Sequence, residues 1–211
     1  MTILTPMKIH TLNNPTRRWV LSAGTACAAV LVSKPLFALT TAQAEALIDR
    51  MLAELNGIIN SGRSANQMFG DFERLFAKYA DIPIISPSLI GRDGWQRASS
   101  GQRAAFIDAF TGYIARKYGK RFRELIGGKV VVKNTVAAGK NHEVRTVADL
   151  RGSAPFEVSF FVSGRSGNSQ FYDMRIEGIS LRRAEANEVG AMLDRKGGNI
   201  DAMIADLKRA G

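Results

Sequence analysis

The stretch FEVSFFVSGRSGNSQFYDMRIEGISL, residues 156–181, decides the fold of this chain. Its first part repeats apolar side chains with a period of two, which predicts a β-strand with one apolar face. A second such run begins at Gln170, where Tyr172, Met174 and Ile176 share one face. Because the segment between the two runs is short and rich in glycine, we expect a hairpin of two antiparallel strands.

Two further runs with the same period precede this hairpin, at 129–135 and 142–149, with short Gly-containing connections after each. Residues 129–181 therefore predict a mainly antiparallel, four-stranded sheet. One face of that sheet is apolar and needs a cover. Helical periodicity dominates the flanking residues, 45–128 and 182–211, so helices are available for that role. Helices against one face of an antiparallel sheet make an α+β domain.

Helices are predicted wherever apolar residues recur every three to four positions, at 41–60, 69–79, 99–125, 183–195 and from Asn199 onward. Ser99 and Gln102 have the spacing of a capping box, and Asn199 is a good N-cap residue. Pro83 and Pro87 interrupt the pattern, so we expect two loops there, with a short apolar turn at 88–91 between the loops.

The long helix after Ser99 carries aromatic side chains on one face, among them Phe106, Phe110 and Tyr113. Such a stripe is most often part of a packed core. This one is unusually rich in rings for its length, which also suits the wall of a ligand cavity. The residues alone leave both interpretations open.

The same helix contains a dense run of basic residues within eight positions: Arg116, Lys117, Lys120, Arg121 and Arg123. One interpretation is a solvated helix face. The other is a docking patch for lipid headgroups or for the acidic surface of a partner. Nucleic-acid binding would require aromatic residues that point outward beside these charges. The aromatic residues share the apolar stripe instead, so no nucleic-acid partner is predicted.

Residues 1–44 have the composition of an export signal. A basic segment that ends in Arg17 and Arg18 precedes a weakly apolar stretch at 19–32, which is too short to span a bilayer. Ala42-Gln43-Ala44 fits the small-residue cleavage pattern. The paired arginines indicate the twin-arginine route, and an ordinary secretory signal is the alternative. We therefore predict a cleaved signal at 1–44 and a single periplasmic domain at 45–211.

The predicted signal contains Cys27, the sole cysteine of the chain, so the mature domain is expected to form no disulfide. The signal also carries four basic residues and no acidic ones, which lowers the net charge from +10 to +6 for the mature domain. This moderate excess permits contact with an anionic membrane surface or an acidic partner.

Familiar catalytic motifs are missing from the sequence. His142 is the one histidine after the signal, and its position beside a turn predicts a surface location. No Cys/His cluster indicates a metal site, and neither a phosphate-binding loop nor a nucleophile elbow occurs. The sequence therefore predicts a protein that binds rather than catalyses, with no catalytic residue, no metal and no cofactor.

Three motifs support a more specific interpretation. They are QRAAFIDAF at 102–110 followed by Tyr118-Gly119, YDMRIEGISL at 172–181, and LDRKGGNIDAMI at 193–204. In this order they resemble the MlaC family, also called the toluene-tolerance family, of periplasmic lipid-carrying components of ABC transport systems. The chain departs from the family pattern by one extra residue at Asn199 and by the lack of a tryptophan before Tyr172.

The resemblance implies a curved, cystatin-like sheet, wrapped by helices, with an apolar cavity that holds the two acyl chains of a phospholipid or related lipid. It also implies an outer-membrane partner of lipoprotein type and an inner-membrane ABC transporter complex. Shielding two chains of about 16 carbons from water is worth on the order of 20 kcal/mol, so the cavity must be large and apolar. The expected lipid contacts are Phe72, Phe76, Tyr79, Phe106, Phe110, Tyr113, Val158, Phe160, Tyr172, Met174 and Ile176.

Three alternatives stay open at this point. The first is a carrier of a hopanoid or another apolar ligand, which would need a broader cavity. The second is a small enzyme on the same curved-sheet scaffold, for which Tyr113 or Tyr172 is the candidate catalytic group. The third is a structural adaptor with a filled core.

Overall fold

The computed structural model describes residues 39–122, 128–150 and 152–211, apart from the side chains of Ala65 and 120–122. The predicted export signal therefore lies outside the described residues up to position 38, as does Cys27. Of the predicted signal, 39–44 are described, and they begin the first helix. Within the described ranges no helix is long and apolar enough to cross a membrane.

Among the described residues, five antiparallel strands form one curved sheet in the order β1-β2-β3-β4-β5: Lys129–Ala138, Asn141–Asp149, Phe156–Ser163, Gln170–Ile176 and Ile179–Ser180. The α+β class and the mainly antiparallel sheet are confirmed, but the run 170–181 folds as two strands rather than one. Glu177 and Gly178 both have positive φ, at 49° and 79°, which makes the tight two-residue turn typical of a hairpin. This turn reverses the chain after Ile176.

The pairing of β3 with β4 changes register at one position. Phe160 lies opposite Met174, as the alternation predicts, but Val162 lies opposite Phe171 because Tyr172 is an extra residue in β4. Beyond this bulge, Phe171 rather than Tyr172 continues the apolar face, and its ring centroid lies 5.8 Å from that of Phe160. The prediction that Tyr172 shares the face of Met174 is therefore wrong by one residue.

In the described part of the chain, seven helices pack with this sheet: α1 Thr41–Ile59, α2 Ala65–Tyr79, α3 Ile82–Leu89, α4 Gly91–Arg97, α5 Ser100–Phe122, α6 Leu181–Arg195 and α7 Ile200–Arg209. Their predicted starts are confirmed where caps were expected. Ser99 and Gln102 exchange both bonds of a capping box, at 3.0 and 3.1 Å, and the side chain of Asn199 caps α7.

The prediction of loops around the two prolines is wrong, because both lie within α3. Pro83 falls in the first turn, where its missing N–H would have had no partner in the helix. Pro87 removes one internal bond, but Ile85 and Leu89 are buried and fix the helix against its neighbours. Asp81 caps the helix by accepting from the backbone N–H of Ile84.

The helices cover the apolar face of the sheet in two groups. Helix α1 packs on β1, β2 and β3, whereas α3 and α6 pack on β4. Helix α5 lies between α2 and α7. The space between α2, α3, α5, α6 and the last strands is therefore enclosed by helices on several sides and by the sheet on the other.

His142 is buried, contrary to the surface location that its position beside a turn predicts. The segment before α1 runs over the start of β2, where His142 Nε2 donates to the backbone carbonyl of Leu39 at 2.6 Å. The backbone ahead of the first helix covers this side chain, and no local sequence pattern shows such a long-range contact.

Candidate functional site

A cavity of about 140 Å³ lies between the sheet and the helices. Helices α1, α2, α3, α5 and α6 contribute to its wall together with β3 and β4. Sixteen of its lining residues are apolar or aromatic: Met51, Leu55, Phe72, Leu75, Phe76, Ile85, Leu89, Phe110, Ile114, Ala115, Tyr118, Phe160, Phe171, Tyr172, Met174 and Leu181. The remaining three, Asp173, Arg182 and Glu185, form what we call the polar end.

Aromatic rings from four elements meet in the wall. The ring of Phe76 in α2 lies edge-to-face with Phe110 in α5 and with Phe171 in β4, at centroid distances of 6.4 and 6.0 Å. Phe171 in turn meets Phe160 across the sheet, at 5.8 Å. Each such pair contributes about 0.5–1.5 kcal/mol beyond its buried area. The wall therefore depends on contacts between elements far apart in sequence.

Six of the eleven residues predicted to contact lipid line this cavity: Phe72, Phe76, Phe110, Phe160, Tyr172 and Met174. The other five, Tyr79, Phe106, Tyr113, Val158 and Ile176, lie elsewhere. Phe106 packs against Trp95 at a ring distance of 6.3 Å, and the hydroxyl of Tyr79 donates to Glu54 at 2.8 Å. Val158 and Ile176 pair with each other farther along β3 and β4.

Sequence reasoning missed several wall residues for identifiable reasons. Ile85 and Leu89 belong to α3, a helix that the two prolines made unpredictable from the local sequence. Phe171 lies beyond the bulge at Tyr172 in β4, which shifts the alternation by one residue. Met51 and Leu55 lie on the apolar stripe of α1, which predicted a buried face without showing what that face meets. For Met51 and Leu55, the helical period of the sequence was the signal that could have indicated a place in the wall.

Glu185 is the most buried charged group of the polar end, at 2 % exposure. Its Oε1 accepts from Lys117 Nζ at 2.8 Å and from the hydroxyl of Tyr118 at 2.5 Å. Lys117 also donates to Glu188 Oε2 at 2.5 Å and to the hydroxyl of Tyr113 at 2.7 Å. This network ties α5 to α6 beside the cavity.

These contacts shift the pKa values of the network. Burial alone would lower the pKa of Lys117, but its hydrogen bonds to Glu185 and Glu188 raise it above its usual value. The hydrogen bond from Lys117 lowers the pKa of Glu188. Burial raises the pKa of Tyr113 well above its usual value, so its phenol stays protonated at neutral pH.

Asp173 has a structural role at the start of α6. Its carboxylate accepts from the hydroxyl of Ser180, at 2.9 and 2.8 Å, and from the backbone N–H of Arg182 at 3.2 Å. Ser180 in turn caps α6. A carboxylate at a helix N-terminus is favourable because it faces the positive end of the helix dipole.

The basic residues predicted to form a docking patch differ in the contacts that they make. Arg116 donates to the backbone carbonyls of Ala210 and Leu207, at 2.9 and 2.7 Å, and so fastens the end of α7 to α5. Lys117 belongs to the network with Glu185. Arg123 lies outside the described residues, as do the side chains of Lys120 and Arg121.

The two tyrosines weighed as catalytic groups differ in their relation to the cavity. Tyr113 does not line the cavity, and its hydroxyl accepts from Lys117. Tyr172 lines the cavity, and its hydroxyl accepts from Asn141 Nδ2 at 3.2 Å. Among the described residues no group of three or more His, Cys, Asp or Glu side chains could hold a metal ion.

Comparison with known proteins gives two findings. The family model described as MlaC protein matches residues 45–209. A solved structure of a phospholipid-binding protein from Ralstonia solanacearum, in complex with a phospholipid, is similar with a TM-score of 0.68 and 20 % sequence identity. The match covers 79 % of this chain and 95 % of that one, so the two share a fold.

Proposed function

The chain belongs to the MlaC family, and from that premise we propose that it is a periplasmic carrier whose cavity holds the acyl chains of a phospholipid. The observation that carries this proposal is the cavity itself. Sixteen of its nineteen described lining residues are apolar or aromatic, and the three charged ones come from β4 and α6 alone. Such a lining suits the apolar tails of a lipid.

The energetic requirement of such a carrier supports the same conclusion. Each methylene moved out of water contributes about 0.8 kcal/mol, so only an extended apolar wall can compete with a membrane for a lipid tail. The fold shared with the Ralstonia protein, which was solved with a phospholipid, supports a lipid ligand here as well.

The size of the cavity adds a condition. At about 140 Å³ it is close to an engineered cavity of about 150 Å³ that takes benzene, whereas pockets for larger ligands span about 300–1,000 Å³. Two acyl chains therefore require the walls to separate. The edge-to-face contacts of Phe76 with Phe110 and Phe171 join α2 to α5 and β4, and they are the contacts that such an opening would exchange for lipid.

The wider role we propose is a shuttle. The protein would exchange lipid with an outer-membrane partner of lipoprotein type and with an inner-membrane ABC transporter complex, which would consume any ATP. An N-terminal signal, of the twin-arginine type, would export it. Membership of the MlaC family supports this proposal.

Native mass spectrometry tests the proposal. The full chain is expressed with its signal, purified from the periplasm without detergent and analysed with extraction of any bound lipid. We expect phospholipid at close to one molecule per protein. A lipid-free protein that also takes up no lipid from vesicles would overturn the proposal, and a polycyclic lipid in the extract would replace phospholipid as the ligand.

A further inference from the structure

A surface groove of about 380 Å³ lies between α1 and α2, next to the apolar cavity. Leu75 lines both the groove and the cavity, so this side chain lies between the two spaces. On α1, Leu55 lines the cavity, whereas its neighbour Glu54 lines the groove. The seam between α1 and α2 is therefore a place where the apolar cavity comes close to solvent. We call this depression the α1–α2 groove.

The α1–α2 groove is lined by three cationic side chains, those of Arg63, Arg74 and Lys78. Two carboxylates, Asp71 and Glu54, line it as well, so its described side chains carry one net positive charge. The cationic side chains are 55, 73 and 58 % exposed, in the order named above. A ligand that enters the groove from solvent can therefore reach their charged ends.

A single carboxylate holds the two guanidinium groups in place. The side chain of Asp71 is only 10 % exposed. Arg63 Nη1 donates to both of its oxygens, at 3.0 and 2.8 Å, and Arg74 Nη2 donates to Oδ1. Because each guanidinium carries five N–H donors, further donors remain on both groups after these bonds. Two guanidinium groups bound to one carboxylate lie close together, and such an arrangement suits the oxygens of a phosphate.

The charged residues in the wall of the cavity offer no comparable site. Asp173 accepts from Ser180 and from the backbone of α6. Glu185 is 2 % exposed and bound by Lys117, and Arg182 Nε is buried. The exposed donors that a headgroup needs are therefore in the α1–α2 groove, outside the cavity.

We propose that the α1–α2 groove is the headgroup site of the carried lipid, in which Arg63, Arg74 and Lys78 bind the phosphate. The acyl chains pass Leu75 and enter the apolar cavity. A phosphodiester carries one negative charge, which balances the net charge of the groove. The inference rests on the proposed lipid carriage and adds the place of the headgroup and the group that is recognised, the phosphate.

Two lipids that differ in the phosphate test this site with the wild-type protein. Vesicles contain phosphatidylcholine and a minor proportion of diacylglycerol, with the same acyl chains. Neither lipid has a net charge, so the comparison separates the phosphate from the surface charge of the vesicle. The protein is re-isolated, and its lipid is quantified by mass spectrometry relative to the vesicle composition. We expect about tenfold preference for phosphatidylcholine, because charged donors bind its phosphate. Uptake of both lipids in the vesicle proportions would overturn the site.

Two double variants with the same loss of charge assign the preference to the groove. Arg63→Gln with Arg74→Gln replaces both guanidinium groups by amides, and we expect the preference to fall below about threefold. Arg92→Gln with Lys208→Gln changes two exposed residues outside the groove and should keep the preference. Equal preference in the two double variants would overturn the site. If the groove variant does not fold, Lys78→Gln takes its place, and an unchanged preference in that variant has the same meaning.

A photoreactive group in the headgroup of phosphatidylcholine locates the headgroup directly. After uptake and irradiation, the modified peptides are identified by mass spectrometry. We expect adducts within residues 54–78, which contain the described lining of the groove. Adducts confined to α6 would overturn the proposal, because they would place the headgroup on the other side of the cavity.

Free phosphate is the other source of the same chemistry. The vesicle experiment is repeated with inorganic phosphate in the buffer and, as a control, with sodium chloride at equal ionic strength. We expect unchanged preference for phosphatidylcholine, because the apolar tails add to the affinity of the lipid and inorganic phosphate has none. Loss of the preference at submillimolar phosphate, but not in sodium chloride, would assign the groove to a free anion and overturn the headgroup site.

The two proposals fail in distinguishable ways. Absence of any lipid uptake would overturn the proposed function. Uptake near one molecule per protein, with no preference for the lipid that carries a phosphate, would overturn only the headgroup site.

Discussion

Phe106 and Phe110 lie one turn apart on α5 and are equally buried, yet they meet different surroundings. Their rings stack at 5.9 Å, and their exposures are 0 % and 2 %. Phe106 faces the ring of Trp95, whereas Phe110 lines the cavity and faces Phe76. Burial therefore does not separate a packed core from a cavity wall, because the difference lies in what stands opposite the side chain.

Two alanines of the same helix repeat this contrast. Ala109 and Ala115 are both 3 % exposed, but Ala115 lines the cavity and Ala109 does not. One side of α5 is thus part of a filled core, and the other side is part of a wall that a ligand can reach.

The largest expected effect comes from truncating the core member of the phenylalanine pair. Phe106→Ala should lower the free energy of unfolding by about 3–5 kcal/mol, because it removes a ring that is packed on all sides. Phe110→Ala should cost less, since part of its ring already faces a cavity and loses fewer contacts. Equilibrium urea unfolding measures both values. Equal losses of unfolding free energy would show that facing the cavity makes no difference to the cost of removing the ring.

The second-largest expected effect concerns the polar end of the cavity rather than its aromatic wall. Lys117→Met should lower stability by about 3 kcal/mol, at the low end for breaking a buried pair because Lys117 is partly exposed. It leaves Glu185 Oε1 with only the hydroxyl of Tyr118.

Glu188→Gln is the control for Lys117→Met in the same urea titration. The side chain of Glu188 is 44 % exposed, so loss of its ion pair with Lys117 should lower the free energy of unfolding by less than about 1 kcal/mol. Similar costs for the two variants would contradict the view that the polar end depends on the buried carboxylate.

The pair of alanines provides a smaller and sharper test. Ala109→Leu should cost about 1–3 kcal/mol because it overfills a packed core. Ala115→Leu extends into the cavity, so it should cost less than Ala109→Leu but reduce lipid uptake from vesicles. A reversed order of stability, or unchanged uptake by Ala115→Leu, would show that the two sides of α5 do not differ as the structure indicates.

The smallest expected effect is on the stability of the protein at acidic pH. The hydrogen bond from Lys117 lowers the pKa of Glu188 below its usual value of 4.5 in the folded state. The stability gained from this ion pair is therefore complete above about pH 4.5 and is lost as the pH falls through the lower, folded pKa. Unfolding titrations between pH 6 and 3 should show a shallower acid loss for Glu188→Gln than for wild type. Identical slopes would contradict the linkage.

The fold was largely predictable because the helical and strand periodicities of the sequence are strong. The alternation at Phe160 and Met174 predicted the sheet face, and the spacing of Ser99 and Gln102 predicted the start of α5. Helix α3 was not predictable in this way, since Pro83 and Pro87 break the local signal while burial of Ile85 and Leu89 stabilises the helix. Tertiary packing decided that segment.

The candidate site was predictable only in part. Phe110 and Phe160 follow from helix and strand periods, but Phe171 lies beyond a bulge, which shifts the alternation by one residue. Arg182 and Glu185 stand among other charges at the start of α6, a pattern typical of a solvated surface. Glu185 is buried where it contacts Lys117 and Tyr118 of α5, which is distant in sequence, so no local period reveals its burial.

The capping box ahead of α1 bears on the cleavage that the sequence predicts. Thr40 and Gln43 exchange hydrogen bonds at 2.9 and 3.2 Å, Ala44 is fully buried within the first turn, and the carbonyl of Leu39 holds His142. The cleavage predicted after Ala44 falls inside this turn. A peptidase binds its substrate extended, so a cut there requires the turn to unwind first. If the domain folds before export, the release of the mature protein from its signal is then paced by the fraying of one helical turn.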